Sequence, residues 1–159
     1  DTLAGRTSLK SPRRPAMPGA RRHAELQRNA PMTVQDHNVA ELETWRDGVR
    51  TQMRTSALTS AHQLCIFEQW CDAGLGAPIH EHAVEEVLEV IAGTAEIWLD
   101  DASFTVTANQ SVLIPRGARH GFKNIGEDVL HVRATLAAAV FEASYDDRAE
   151  LSRRYAPKR

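Results

Sequence analysis

Between Gly74 and Gly93 an apolar, β-branched run carries two histidines two positions apart, His80 and His82, and a glutamate four positions on, Glu86. In an extended strand successive side chains point to opposite faces, so positions i and i+2 share one. His80 and His82 therefore converge, and Glu86 keeps the same parity if the strand stays regular through Ala83. Two imidazoles and a carboxylate meeting at one point are a partial coordination shell for a divalent transition metal. A fourth group is needed to close that shell or nearly close it.

A second stretch, Asn109 to Asn124, carries Pro115, Gly117 and His120 ahead of Asn124. The first stretch reads G-x5-H-x-H-x3-E-x6-G, and the second ends in P-x-G-x2-H-x3-N. Together they resemble the two motifs of the cupin superfamily. The family's second motif begins with Gly where this chain has Asn109, a mild departure because Asn tolerates the left-handed backbone of a tight turn. The motifs span Gly74–Asn124, and the surrounding alternation extends the likeness to about residues 49–141. Within the superfamily, residues 63–136 look most like small stand-alone cupins related to quercetin dioxygenase.

The resemblance implies an all-β fold, the double-stranded β-helix or jelly-roll barrel. It implies His80, His82, Glu86 and His120 as ligands of one divalent transition metal, which could be Fe, Ni, Zn, Mn or Cu. It implies a metal-dependent enzyme acting on a small oxygenated organic substrate by oxygenase or dioxygenase chemistry. The alternatives are Lewis-acid isomerase, lyase or cyclase chemistry on the same site, and a non-catalytic cupin that binds a small ligand. Burying four such groups unpaired would cost several kcal/mol, which also favours a metal partner.

The chain outside the motifs fits this reading. Short segments alternate apolar and polar residues between turn signals, as in Ala95–Leu99, Ser103–Thr107 and Val129–Leu136. Trp45 is an anchor ahead of an Asp47-Gly48 turn, strand character begins at Val49–Arg54, and His62–Trp70 reads as a second strand. Ile79–Ile91, nearly all apolar between its acids, reads as a strand buried on both faces. Ser144 reads as the cap of a C-terminal helix over residues 144–155, with Asp146 and Asp147 in its first turn and Arg153 and Arg154 in its last.

His131 and Arg133 share one face of the late strand, and are candidates with Glu86 for catalysis, as a proton relay and anion clamp inside the barrel; the open alternative puts them on the outer sheet facing water. Glu68, Gln69, Trp70, Trp98, Phe104 and Phe122 are candidates to line a pocket or to fill the core. Glu85 has the opposite parity to Glu86 and reads as an exposed or interface acid. Cys65 and Cys71 read as free thiols.

Residues 1–31 hold seven Lys/Arg against Asp1 and Glu25, a charge of +5, so the remainder, with 12 Lys/Arg and 19 Asp/Glu, carries −7. The Pro, Gly and Arg content of this arm, without apolar period, predicts disorder, and residues 32–159 form the cupin domain. The acidic domain disfavours nucleic acid and anionic membrane as partners. No run approaches the roughly 18 apolar residues of a membrane span, and no secretory leader is visible, so the expected location is cytoplasmic. Exposed strand edges in a small sandwich predict a homodimer.

Overall fold

Period-two alternation becomes strand almost wherever it occurs in the computed structural model, which describes residues 34–158. The expectation for residues 1–31 lies outside the described residues. In chain order the strands are β1 (Glu43–Arg46), β2 (Val49–Thr55), β3 (Cys65–Cys71), β4 (Gly76–Glu81), β5 (Glu86–Ala92) and β6 (Thr94–Leu99), then β7 (Ala102–Thr107), β8 (Gln110–Ile114), β9 (His120–Asn124), β10 (Leu130–Leu136), β11 (Phe141–Tyr145) and β12 (Ser152–Arg154). They form two six-stranded antiparallel sheets, ordered β1-β2-β3-β10-β5-β8 and β12-β11-β4-β9-β6-β7, in a jelly-roll arrangement.

Inward positions alternate along each strand. Leu130, Val132, Ala134 and Leu136 of β10 form one buried cluster with Leu88 and Val90 of β5 and with Ile97 and Phe122 of the second sheet. Cross-strand pairs such as Val132–Val90 and Ala134–Leu88 fix the register, because a one-residue slip would turn the apolar set outward. The turn before β8 places Asn109 at φ 65°, as its left-handed tolerance allows, with its N–H donating to the Val90 carbonyl at 3.0 Å. Asn124 holds the turn into β10 by donating to the carbonyls of Cys71 and Asp128. Cys65 and Cys71 are free and buried, and burial pushes both thiols up to about 12, far from reactive.

Two expectations are corrected. Ile79–Ile91 is not one strand: the chain leaves β4 after Glu81, crosses through residues 82–85 and enters the other sheet at Glu86. The alternation of burial survives the corner, with His80, His82 and Glu86 all buried and Glu81, Ala83 and Glu85 exposed. The C-terminal helix is absent; residues 141–145 and 152–154 are strands, paired so that Glu142 lies opposite Arg153 at 3.0 Å. Charge suited a helix dipole there, but the segment has no apolar stripe of period 3.6 to pack. Phe141, Ala143 and Tyr145 instead bury at alternate positions.

The outer face of the first sheet carries a buried charge network. Glu68 on β3 is 4% exposed and accepts from Arg54 at 2.7 Å, from Arg133 at 2.9 and 3.0 Å and from His131 at 2.7 Å. Burial alone would raise its pKa, but these hydrogen bonds outweigh it and hold the carboxyl at about 2. A carboxyl held below its unfolded value contributes stability that is complete above about pH 4.5 and lost as pH falls through about 2. Glu68→Gln leaves its cations without their anion, and is expected to cost about 3 kcal/mol in urea unfolding at pH 7. The gap between wild type and variant should narrow between pH 4.5 and 2; a gap independent of pH would refute the assignment.

Candidate metal centre

The β4–β9 pairing delivers two of the four candidate ligands. Its register slips by one residue between the Ala77–Phe122 and His80–His120 pairs, at Pro78-Ile79. A proline lacks the N–H that a regular ladder needs, so it lies naturally at such a bulge. The extra residue reverses the parity of the strand, so that Ala77 and His80, three apart, are both buried. His120 opens β9 directly opposite His80. His82 lies just past β4, and Glu86 begins β5 on the facing sheet, between Leu136 and Ile114.

One ligand atom from each of His80, His82, Glu86 and His120 lies within 4.8 Å of every other, and all four residues are buried. Each imidazole is anchored through Nδ1 to a backbone carbonyl: His80 to Pro78 at 2.7 Å, His82 to Glu142 at 2.6 Å and His120 to Ala118 at 2.9 Å. A carbonyl only accepts, so each Nδ1 carries the hydrogen, and in the neutral ring Nε2 carries the lone pair. Burial, with His120 and His82 adjacent, pushes His80 down to about 3, so its ring is neutral near pH 7.

Glu86 Oε2 lies 2.9 Å from His120 Nε2 and 3.2 Å from His82 Nε2. Burial opposes ionisation of Glu86, but these two histidines outweigh it and hold the carboxyl well below the usual range. With each Nδ1 hydrogen committed to a carbonyl, the Nε2 atoms can meet the Glu86 oxygen only as protonated N–H donors, the form toward which Glu86 pushes His82 up against its own burial, or across a shared cation. His82 Nε2 is itself buried with no hydrogen-bond partner. A divalent cation satisfies all four donors at once, and three nitrogens with one carboxylate oxygen suit Fe, Ni, Zn, Mn or Cu. The Nδ1–carbonyl bonds are the outer contacts that orient metal-binding imidazoles.

The cluster opens on a cavity of about 20 Å³. Its walls include Trp45, Arg46, Phe67, Gln69, Phe141 and Tyr145. Of the candidate lining residues, Gln69 and Phe122 reach this cavity. Glu68 and Trp70 turn to the outer face instead, and Phe104 is half exposed. His131 and Arg133 are not brought to the metal cluster. Leu130, Val132 and Ala134 take the inward positions of β10, leaving His131 stacked on Trp70 at 4.6 Å and both residues bonded to Glu68 outside the barrel. Of the three catalytic candidates, Glu86 lies in the cluster. Arg46 and Tyr145 went unnoticed in the sequence, where neither belongs to a motif.

A family model described as a cupin domain matches residues 71–137. Mannose-1-phosphate guanylyltransferase 2 of Escherichia coli O157:H7 is 42% identical over 53 residues, 33% of this chain and 11% of that enzyme. The chain therefore spans about a tenth of that relative's length. The crystal structure of an RmlC-like cupin from Shewanella frigidimarina superposes with TM-score 0.60 at 22% identity, covering 69% of this chain and 93% of that one. Oxalate oxidase in complex with the substrate analogue glycolate superposes with TM-score 0.59 at 16% identity, covering 72% and 63%. These likenesses support the cupin superfamily, and the structural ones speak for the fold alone.

Substitution of one ligand tests the site. His82→Ala should lower metal affinity by at least about tenfold, read as metal content after gel filtration, while the far-ultraviolet spectrum keeps its β-sheet form. Unchanged metal content would remove His82 from the centre.

Proposed function

Starting from a cupin barrel with three anchored imidazoles and one carboxylate around a point, we propose that this chain is a metal-dependent enzyme for a small oxygenated organic substrate, of oxygenase type and nearest in kind to the quercetin-dioxygenase-like cupins. The observation that carries the proposal is the set of three Nε2 lone pairs and the Glu86 oxygen, converging at the end of a cavity. A redox-active divalent ion held there would supply the electrons and the Lewis acidity that dioxygen needs to react with a closed-shell organic molecule.

The chain's own residues supply the rest. His80, His82 and His120 hold their rings fixed through the carbonyls of Pro78, Glu142 and Ala118, so little reorganisation accompanies binding. Glu86 is the one carboxylate in the cavity wall and the base available to a substrate hydroxyl. Phe67, Leu88, Phe122 and Phe141 exclude water from the same space.

The size of the cavity favours a second reading. About 20 Å³ is near the volume that one water occupies by the same measure, which leaves little room for dioxygen beside an organic substrate. With zinc, manganese or nickel the same residues would serve Lewis-acid isomerase, lyase or cyclase chemistry on a single occupant.

Metal replacement separates the two. The stripped protein, reloaded with iron, copper or zinc, is offered small hydroxy acids and enols, oxalate and glycolate among them. Oxygen uptake with iron or copper, matched to substrate loss and abolished by Glu86→Gln, is the expected result. Substrate turnover with zinc and no oxygen uptake with any metal would overturn the oxygenase reading in favour of the second.

A further inference from the structure

Two hollows of unequal size meet at one indole. The cavity beside the histidine cluster, about 20 Å³, has Trp45, Phe67 and Phe141 in its wall. A groove of about 360 Å³ is lined by Met53, Leu58, Arg154 and Tyr155. Trp45 touches both sets of walls. Its ring centroid lies 5.1 Å from that of Phe67, 5.0 Å from that of Phe141 and 6.0 Å from that of Tyr155, with the Arg154 guanidinium carbon 4.3 Å from the indole centroid. The indole thus stands between a hollow with room for about one water and one with room for a small organic molecule.

The sheet does little to hold Trp45 in place. β1 is four residues long, lies at the edge of its sheet and pairs with β2 alone. Its register against β2 runs Glu43–Thr51, Thr44–Arg50 and then Arg46–Val49, so Trp45 is an extra residue bulged out of the ladder. Turning its side chain disturbs no register pair. Phe67, Leu88, Phe122 and Ala134, in the same cavity wall, belong instead to interior strands with a partner on each side.

A clasp of side chains does the holding. Trp45 Nε1 donates to Glu43 at 3.0 Å, Glu43 faces Arg154 at 3.7 Å, and Arg154 lies over the indole, so three groups close a ring. Arg154 comes from β12, a three-residue strand paired with β11. Its side chain is 38% exposed and that of Glu43 27%, so water can take the place of each partner when the ring opens. A cation over an indole face at so exposed a site is a weak, reversible contact.

We propose that Trp45 is the residue that sets the size of what reaches the histidine cluster. When the clasp of Arg154 and Glu43 releases, the indole swings off the cavity wall and joins cavity and groove into one site, large enough for an organic molecule. This inference rests on the function proposed above for the identity of the occupant, but not for the motion. Glu43 and Arg154 act through Trp45, and none of the three touches the reacting atoms.

Rapid mixing of cobalt-loaded protein with imidazole tests the gate, read in the visible absorption of the cobalt. In the wild type the rate of the spectral change should rise with imidazole and then level off, because opening limits it. Arg154→Gln should raise that ceiling by about two- to thirtyfold, the range of a cation–π contact, with cobalt content unchanged. Trp45→Leu should remove the ceiling, whereas Trp70→Leu, which takes an indole from the outer face, should leave it in place. Arg154→Gln carries the test alone if Trp45→Leu does not fold. A rate that stays proportional to imidazole in the wild type, or a ceiling equal in wild type and Arg154→Gln, overturns the gate. A wild type that takes up no cobalt overturns the metal reading instead, and the gate is then read on the metal-free chain by hydrogen exchange of the Trp45 indole N–H. Faster exchange in Arg154→Gln, by the same factor, is the expected result there, and equal exchange overturns the gate.

Discussion

Three hydrogen bonds from imidazole Nδ1 atoms to backbone carbonyls decide what this barrel can hold. Each ties a ring to a different piece of chain: the bulge at Pro78, the turn before β9 at Ala118 and the β11 carbonyl of Glu142. Together they fix three tautomers, so that the lone pairs point inward at the same time. The third of them couples the site to the far end of the chain, since Glu142 reaches His82 from 60 residues away. The β11–β12 hairpin, in place of a terminal helix, is thus part of the support of the histidine cluster and not an appendage.

Regular strands could not have built this arrangement. Perfect alternation would have placed Ala77 and His80 on opposite faces, and Trp45 opposite Arg46. One inserted residue in β4 and one in β1 change those parities. The insertion in β1 lies on an edge strand, where a bulge disturbs the fewest ladder bonds, whereas that in β4 lies between β11 and β9. His80 and Arg46 therefore owe their place in the cavity wall to the same structural device.

What the sequence makes legible follows from how local each determinant is. The shared face of His80, His82 and Glu86 can be read from spacing, because parity passes through the corner at residues 82–85 even though the strand does not. The left-handed turn at Asn109 is a property of one residue and one backbone angle. His120 is legible through the resemblance of its surroundings, not through any local rule. Beyond that, alternation says that His131 and Arg133 share a face but not which face is inner; that is settled by Glu68, 63 and 65 residues away, which draws both outward. Arg46 was illegible for a related reason. Nothing in Thr44-Trp45-Arg46 announces a bulge, and without the bulge Arg46 would be an ordinary outward-facing arginine. The helix expected at residues 144–155 failed because charge placement refines a helix that packing has already made possible, and there was no apolar stripe to pack.

The two buried glutamates show why the barrel interior calls for a cation and the outer face does not. Glu68 is met by two arginines, whose charge is permanent, so that network closes on itself with His131 as a third donor. Glu86 is met by His82 and His120, whose Nδ1 hydrogens are already committed to carbonyls. To donate to Glu86, those rings would have to take up a second proton each inside the core, next to a His80 that burial keeps neutral down to about pH 3. Protonating two neighbouring imidazoles in an apolar cavity adds mutual repulsion to the cost of desolvation. One divalent ion removes both terms, since it satisfies the carboxylate oxygen and all three lone pairs without a proton.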